Sequence, residues 1–494
     1  MFGSPELIVF LPPILPYLWA LWLCFRPPAR LRAVLLPLAA QAVAALVSVL
    51  QIRVGGAVVL GAKGELPAGM VLRADGLSAV LTIAGTLILS VCVIYSLGYF
   101  QLHRQWKTKT LRRERFYWPL LAVLWGGLLF LWITADLLSA YLALEMLGLS
   151  AAALMVLPER GEAVNAGLRY LFFMLLGSLT YLMGAGILYA AHGHIGFEAL
   201  AAAGAADAEG VQTAALALAS AGLMIKAAVF PLHGWLAGAH SHAWAPVSAI
   251  HSALVVKGSF VVLLRVWMAF WPEMHAAAQF VGWAGAAAIF YGGLMALYKH
   301  QVKQIVAYST LAQLGYLLLI FPLAAQGTQE AAQLAWQGTW LHFTSHALAK
   351  AAMFLAVGNL MLAMGRADLE GLAGVDNYLP VSLLILGFAS LSIIGLPVSG
   401  GFTAKWLLLN SAILSGQWQW VVVLSAGTLL GAAYIFRIFK YALAAGVQTG
   451  EHVHLPVAKE AAAFVLALAA LLLGLFAKWP LILIGDGAGG VPWP

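Results

Sequence analysis

Apolar residues come in unbroken blocks of about 20, long enough to cross the hydrocarbon of a bilayer, with most of the charge in the short stretches between them. The blocks show no alternation of period two, which argues against a barrel. Helices satisfy their own backbone in lipid, so the pattern predicts an all-α polytopic membrane protein. About fourteen spans are expected, at 6–25, 33–52, 76–100, 117–134, 137–157, 167–191, 212–236, 245–269, 277–298, 303–322, 337–363, 378–411, 418–443 and 458–483. The first block has no basic leader and no small-residue cleavage site, and reads as a retained span. Two blocks are interrupted. The block 378–411 contains Pro397, Ser399, Gly400 and Gly401, and 212–236 is broken at Pro231, with His233 and Gly234 beyond it. Proline and glycine free backbone groups that protein or water must satisfy at that depth.

The interrupted spans are the seventh and the twelfth. A spacing of five, an odd number, sets a second unit upside down relative to the first. The expected organisation is therefore three N-terminal helices (1–116), a first five-helix repeat (117–269), an inverted second repeat (277–443) and a C-terminal helix with its tail (444–494). Direct similarity between the halves is weak. Inverted repeats with discontinuous helices are a transporter pattern, with ion sites near the midplane at the breaks.

Charge then sets orientation. Arg26, Arg30, Arg32, Arg104, Lys107, Lys109, Arg112, Arg113, Arg115, Arg160, Lys299, Lys303, Arg437 and Lys440 fall on one side if every span is real. The other side has only Arg53, Lys63 and Arg73. Lys/Arg-rich loops stay in the cytoplasm, so both termini face outward, across a bacterial-type inner membrane. With 63% hydrophobic and 9% charged residues, an aqueous surface is excluded, and the net charge of +7 is a topology signal, with no nucleic-acid partner implied. Cys24 and Cys92 lie inside spans without a CxxC spacing, so a disulfide framework, an iron–sulfur site and haem attachment have no support.

Ionisable residues inside spans cost at least about 2.5–3.5 kcal/mol each at a helix centre. Here they are Glu145 in AYLALEMLGLS, Lys226 in LMIKAAVFPLHGW, His251 and Lys257 in SAIHSALVVKGSF, His342, His346 and Lys350 in WLHFTSHALAKAAMF, and Lys405 beyond Pro397. The fourfold spacing of His342, His346 and Lys350 stacks them on one helical face. Each has a bland reading: Glu145–Lys226 as a locking ion pair, Lys257 as a snorkelling side chain, the histidines as packing polar groups. Arg265 reads as an interfacial anchor. Tyr308, Ser309, Thr310 and Gln313 read as helix-packing glue. Jointly, this many ionisable groups over five spans is an expensive way to pack helices. Burial weakens an ammonium's hold on its proton and a nearby carboxylate restores it, while histidine titrates near neutral pH. Proton movement follows as the expected chemistry, with sodium as a second candidate ion. No metal is expected, because His342 and His346 lack a neighbouring carboxylate, and with no HExxH, P-loop or GxGxxG context hydrolytic and nucleotide chemistry have no support.

The stretches TADLLSAYLALEMLGL (134–149), KAAVFPLHGWLAGAHSHAWAPVSAIHSALVVKG (226–258), VKQIVAYSTLAQLGY (302–316), HFTSHALAKAAMFL (342–355) and GLPVSGGFTAKWLLL (395–409) resemble the antiporter-like subunits shared by respiratory complex I, membrane-bound hydrogenases and multisubunit sodium/proton antiporters. The resemblance covers nearly the full chain. It implies that Glu145 and Lys226 are the coupled pair of a first half-channel, His251 and Lys257 a central relay, His346 and Lys350 the link to the second half, and Lys405 the exit-side group. It also implies sister membrane subunits as partners, no cofactor and no catalytic site in the chain itself, and work supplied by redox chemistry elsewhere. A cation/proton antiporter complex and a proton-coupled complex for inorganic carbon uptake are the alternatives within the family. A scaffold that has lost transport is disfavoured by the intact Glu145, Lys226, Lys257 and Lys405, and an organic-solute carrier by the lack of a roomy polar site.

The sequence departs from the family pattern at several points. Gly177 and Ser178 stand where many relatives have an acid, His300 and Gln301 replace an aspartate, and His242 and Trp244 occupy positions usually small or polar. Lys405 is the lysine version of its position. No long lateral helix follows the last span, the short form of the family.

Overall fold

A helix in hydrocarbon hides its polar backbone but not its ends, and the architecture follows from how those ends are met. The computed structural model describes residues 5–25, 32–62, 66–105, 111–158, 160–203, 210–365, 368–446 and 455–485. Arg26, Arg30, Lys63, Lys107 and Lys109 lie outside them. Among the described residues, eleven helices are long and apolar enough to cross a membrane. Shorter apolar helices accompany them: Val211–Lys226, Pro380–Ile394, Gly400–Leu414 and Val457–Leu472. The chain is thus a multi-pass, predominantly helical membrane protein.

Several boundaries differ from the sequence expectation. The block at 303–322 forms two helices, Val302–Leu318 and Ile320–Ala325. The block at 458–483 divides into Val457–Leu472 and Lys478–Gly485. The long second loop holds a two-stranded antiparallel hairpin, Val58–Leu60 with Leu72–Ala74, which pairs Val59 with Arg73. That loop is tied to the helix Leu137–Met155 through Asp136. Its buried carboxylate accepts from the amides of Leu138 (2.8 Å) and Ser139 (2.7 Å), capping Leu137–Met155, and from the amide of Val71 (2.7 Å).

In lipid the buried face of a helix is marked by small and polar residues, not by hydrophobicity, because hydrocarbon is as apolar as leucine. The helix Gly161–His192 exposes Leu168, Phe172, Leu179 and Met183, and buries Tyr170, Gly177, Ser178, Tyr181 and Gly184 on the other side. That face meets Val211–Lys226 at near backbone contact. A Cβ on Gly177 would lie 2.7 Å from the Gly222 carbonyl, and one on Gly222 2.4 Å from the Gly177 carbonyl.

The helix Gln329–Met364 is the spine. Its 36 residues rise about 54 Å, well beyond the hydrocarbon thickness. Thr328 caps its start by accepting from the amide of Ala331, and Gly365 ends it at φ +64°. Packed around it are both halves of the 380–414 segment, Val302–Leu318, Ala245–Ile250 and Val457–Leu472.

Arginines close two helix ends. Arg265, expected to anchor at the interface, instead donates to the carbonyls of Trp132 (2.6 Å) and Thr134 (2.5 Å) at the end of Leu111–Ile133. Arg437 donates to the carbonyls of Leu297 and Lys299 at the end of Trp271–Tyr298.

Gly400 and Gly401, expected inside the second break, are the first residues of Gly400–Leu414. A Cβ on Gly401 would fall 1.8 Å from the Ser392 carbonyl, so only glycine allows this helix start to lie against the end of Pro380–Ile394. Gly401→Ala is expected to cost about 1–3 kcal/mol or more from overpacking, read as a lowered thermal midpoint in detergent. Gly161→Ala, where nothing lies within 4 Å of the added carbon, should leave the midpoint unchanged.

Candidate functional site

The first interruption begins earlier than Pro231. The helix Val211–Lys226 stops at Lys226 itself, and residues 227–235 are non-helical, with Ala228 at φ +54°. Lys226 therefore stands at a helix C-terminus, where the carbonyl ends favour a cation. The Trp235 indole donates back to the Ile225 carbonyl at 3.1 Å and holds the break closed. The Lys226 ammonium donates to Glu145 Oε1 at 3.1 Å. Lys226 is buried, while the Glu145 side chain is 21% exposed. The Ser178 hydroxyl donates to the same carboxylate oxygen. At Gly177 an added Cβ would come 2.9 Å from Lys226 Cγ, leaving no room for an acid. This chain thus meets the pair with a neutral hydroxyl donor.

The next span contains a feature that spacing did not reveal. Between Ala245–Ile250 and Val256–Ala269, residues His251–Val255 form a wide π turn, a local device frequent at functional sites. Lys257 donates to the Ala253 carbonyl at 2.7 Å, inside that turn, and its ammonium lies 5.2 Å from the centre of the Phe343 ring. His251 is buried edge-on to Tyr170, ring centres 5.2 Å apart, and neither imidazole nitrogen has a hydrogen-bond partner among the described residues. His240, absent from the expected site, is equally buried and unpartnered 6.0 Å from His251. Its signal in the sequence was its place in GAHSHAW, between two helix starts.

On the spine, His342 Nε2 lies 3.2 Å from the Gln313 carbonyl and the ring stacks on His346 at 5.8 Å. His346 has no hydrogen-bond partner among the described residues. Lys350, wholly buried, donates to the Val306 carbonyl at 2.9 Å and to the Ser309 hydroxyl. Ser309, expected only to glue helices, is thus a lysine ligand; Thr310, 2.7 Å from the Ser252 hydroxyl, does join helices.

At the second interruption, residues 395–399 are non-helical, with Gly395 at φ +87° and Val398 at φ +78°. Lys405 reaches back from Gly400–Leu414 and donates to the carbonyls of Ile393 and Ile394, both at 3.0 Å, over the face of Tyr316 at 4.5 Å. Lys303, expected as a loop charge, is buried and donates to the Ala243 carbonyl. Pro231 and Pro397 lie within the two non-helical segments. His242 and His300 are on the outside of the bundle, near Glu162 (3.4 Å) and Glu370 (3.2 Å). The Glu370 amide, and then His300, hold that carboxyl below its usual range.

Lys226, His251, Lys257 and Lys405 therefore sit at or reach an interruption or the π turn, while Glu145, His342, His346 and Lys350 lie within continuous helices; each of the four lysines is on a backbone oxygen, hydroxyl or carboxylate. Glu145 and Lys226 touch, as do the rings of His342 and His346. No hydrogen bond among the described residues joins one of the four lysines to another, so any proton passing between them moves through water or by rotamer change.

Such a bundle, with broken helices and buried amines, is the kind of membrane protein in which ions are handled. Residues 134–431 match the family described as NADH:quinone oxidoreductase/Mrp antiporter, TM, and the chain belongs to that family. It is 33% identical to NADH-quinone oxidoreductase subunit N of Desulforudis audaxviator, covering 85% of this chain and 81% of that one. It is 25% identical to a Na(+)/H(+) antiporter subunit of Bacillus subtilis, over 88% of this chain and 86% of that one. A chain of the Mrp complex from Dietzia sp. DQ12-45-1b shares the fold, with TM-score 0.86 and 23% identity over 98% of this chain and 97% of that one.

Because Glu145 is partly exposed, the pair should be worth less than a fully buried one. Glu145→Ala, Lys226→Ala and the double variant, compared by thermal unfolding in detergent, should show a coupling on the order of 1 kcal/mol. Additive losses would mean that the contact contributes nothing to folding.

Proposed function

We propose that the chain is a proton-translocating, antiporter-like subunit of a hetero-oligomeric complex in a bacterial-type inner membrane, driven by redox chemistry in partner subunits. Protons would move along Glu145, Lys226, His251, Lys257, His346, Lys350 and Lys405. The observation that best supports this is the Glu145–Lys226 contact at a helix interruption, a partly exposed acid against a buried amine.

With the pair closed, the carboxylate and the helix end together support an ammonium. If Glu145 swings away, an isolated charge in that packing costs several kcal/mol, and Lys226 sheds its proton toward His251. The imidazoles accept and pass it, their nitrogens having no other partner among the described residues. Lys350 and Lys405 then hold it against carbonyl and hydroxyl oxygens. No step needs a cofactor in this chain.

We read the interrupted helices as the seventh and twelfth of fourteen crossings, in two inverted units, 117–269 and 277–443. Adding the two interrupted segments and Val457–Leu472 to the eleven long helices gives that number. Positive charge puts both termini on the outer side. A sodium/proton antiporter complex is the second reading, favoured by similarity to an antiporter protein over nearly the whole chain.

The test is transport by the complex purified with its native partners and reconstituted in vesicles. Lys226→Ala is expected to slow proton movement by at least roughly a hundredfold, the usual size of a positioned proton-transfer group. Undiminished movement would sink the mechanism. Co-purifying flavin or iron–sulfur subunits support the redox-driven reading, and dependence on a sodium gradient the antiporter one.

A further inference from the structure

Besides the four lysines of the file and Lys303, a sixth buried lysine lies away from the file. Lys459, in the first turn of Val457–Leu472, is fully inaccessible, and its ammonium has no hydrogen-bond partner among the described residues. It lies over the rings of Tyr95 (4.6 Å) and Tyr99 (5.7 Å), its stem against Gly98. A lysine that only anchors a helix end snorkels its charge into water. This one does the opposite.

Polar groups surround it. The Tyr95 hydroxyl lies 3.0 Å from Asn359 Oδ1, the Asn359 amide donates to Ser382 at 3.0 Å, and the Ser382 hydroxyl donates to the Glu460 carboxylate at 2.8 Å. Tyr95, Asn359 and Ser382 are all fully buried. With Lys459 and Glu460 they come from four different helices: the C-terminal third of Gly76–Gln105, the end of Gln329–Met364, and the starts of Pro380–Ile394 and Val457–Leu472. Three helix ends meeting there put the cluster near one face of the membrane. Farther along Pro380–Ile394 the buried hydroxyls continue with Ser390 and Ser392, and Ser392 lies 2.6 Å from Ser345, the neighbour of His346. Ser382 and Ser390 are about 12 Å apart along the helix axis, a gap that internal water must bridge.

We infer that Lys459, Glu460, Ser382, Asn359 and Tyr95 form a second protonatable site, through which the membrane face where their helix ends meet exchanges protons with the second half of the chain. Loading turns the amine into the ammonium with one proton taken up. Unloading returns the amine as that proton moves on along the hydroxyls, and nothing else is consumed. The site rests on the proton-translocating reading above.

Two variants test it in the reconstituted complex. Lys459→Met keeps the stem and removes the amine; Tyr95→Phe keeps the ring under the ammonium and removes only the hydroxyl. Each is expected to slow proton movement by at least roughly tenfold while the partners still co-purify. Wild-type transport in both variants would overturn the site while leaving the Lys226 mechanism standing. Wild-type transport in Lys226→Ala as well would overturn the translocating reading itself.

Discussion

A backbone carbonyl released inside hydrocarbon has no water to receive, and this constraint organises the molecule. Most of the buried cations answer it. Arg265 and Arg437 cover the last carbonyls of two helices, Lys405 those of a half-helix, Lys303 that of Ala243 after a short helix, and Lys257 one within the π turn. Where the cation is an arginine, the bond is fixed for good, because guanidinium does not give up its proton. Where it is a lysine, the same stabilising contact is one that a proton can make or undo. Structural capping and proton handling thus use one chemical arrangement, differing in the side chain chosen.

Glycine sets how near the parts come. The Gly177–Gly222 crossing brings Gly161–His192 so close to Val211–Lys226 that Ser178 and Glu145 both reach the end of the broken helix. The spine joins the rest: His342, His346, Lys350 and Asn359 are carried on one continuous helix that packs on both halves of the second interrupted segment and on the span that follows the first. A shift at either break therefore bears on the same rigid element.

Much of the architecture was legible. Apolar blocks predicted the helices because hydrocarbon demands length and hydrophobicity, and Pro231 and Pro397 lie in the two breaks. The edge of the first break was not legible. Ala227, Ala228 and Val229 read as continuing helix, yet the chain turns there with Ala228 in the left-handed region, a consequence of packing and not of local preference. The π turn at His251 leaves no signature in spacing. Lys303 and Lys459 were hidden for a different reason: each stands at a helix start beside other polar residues, where an exposed end is the ordinary outcome, and only the fold buries it.

The file Lys226, Lys257, Lys350 and Lys405 sets four amines against the single carboxylate of Glu145. Two like charges about 10 Å apart repel by roughly 1.7 kcal/mol at an effective dielectric of 20. Occupancy along such a row is anticooperative: each arrival makes the next one harder and hastens a departure elsewhere. On the proposed translocating role, such a row would behave as a displacement register, in which admitting one charge at an end expels another farther along. A fixed stoichiometry would then emerge from electrostatics alone, without any group having to travel the length of the protein.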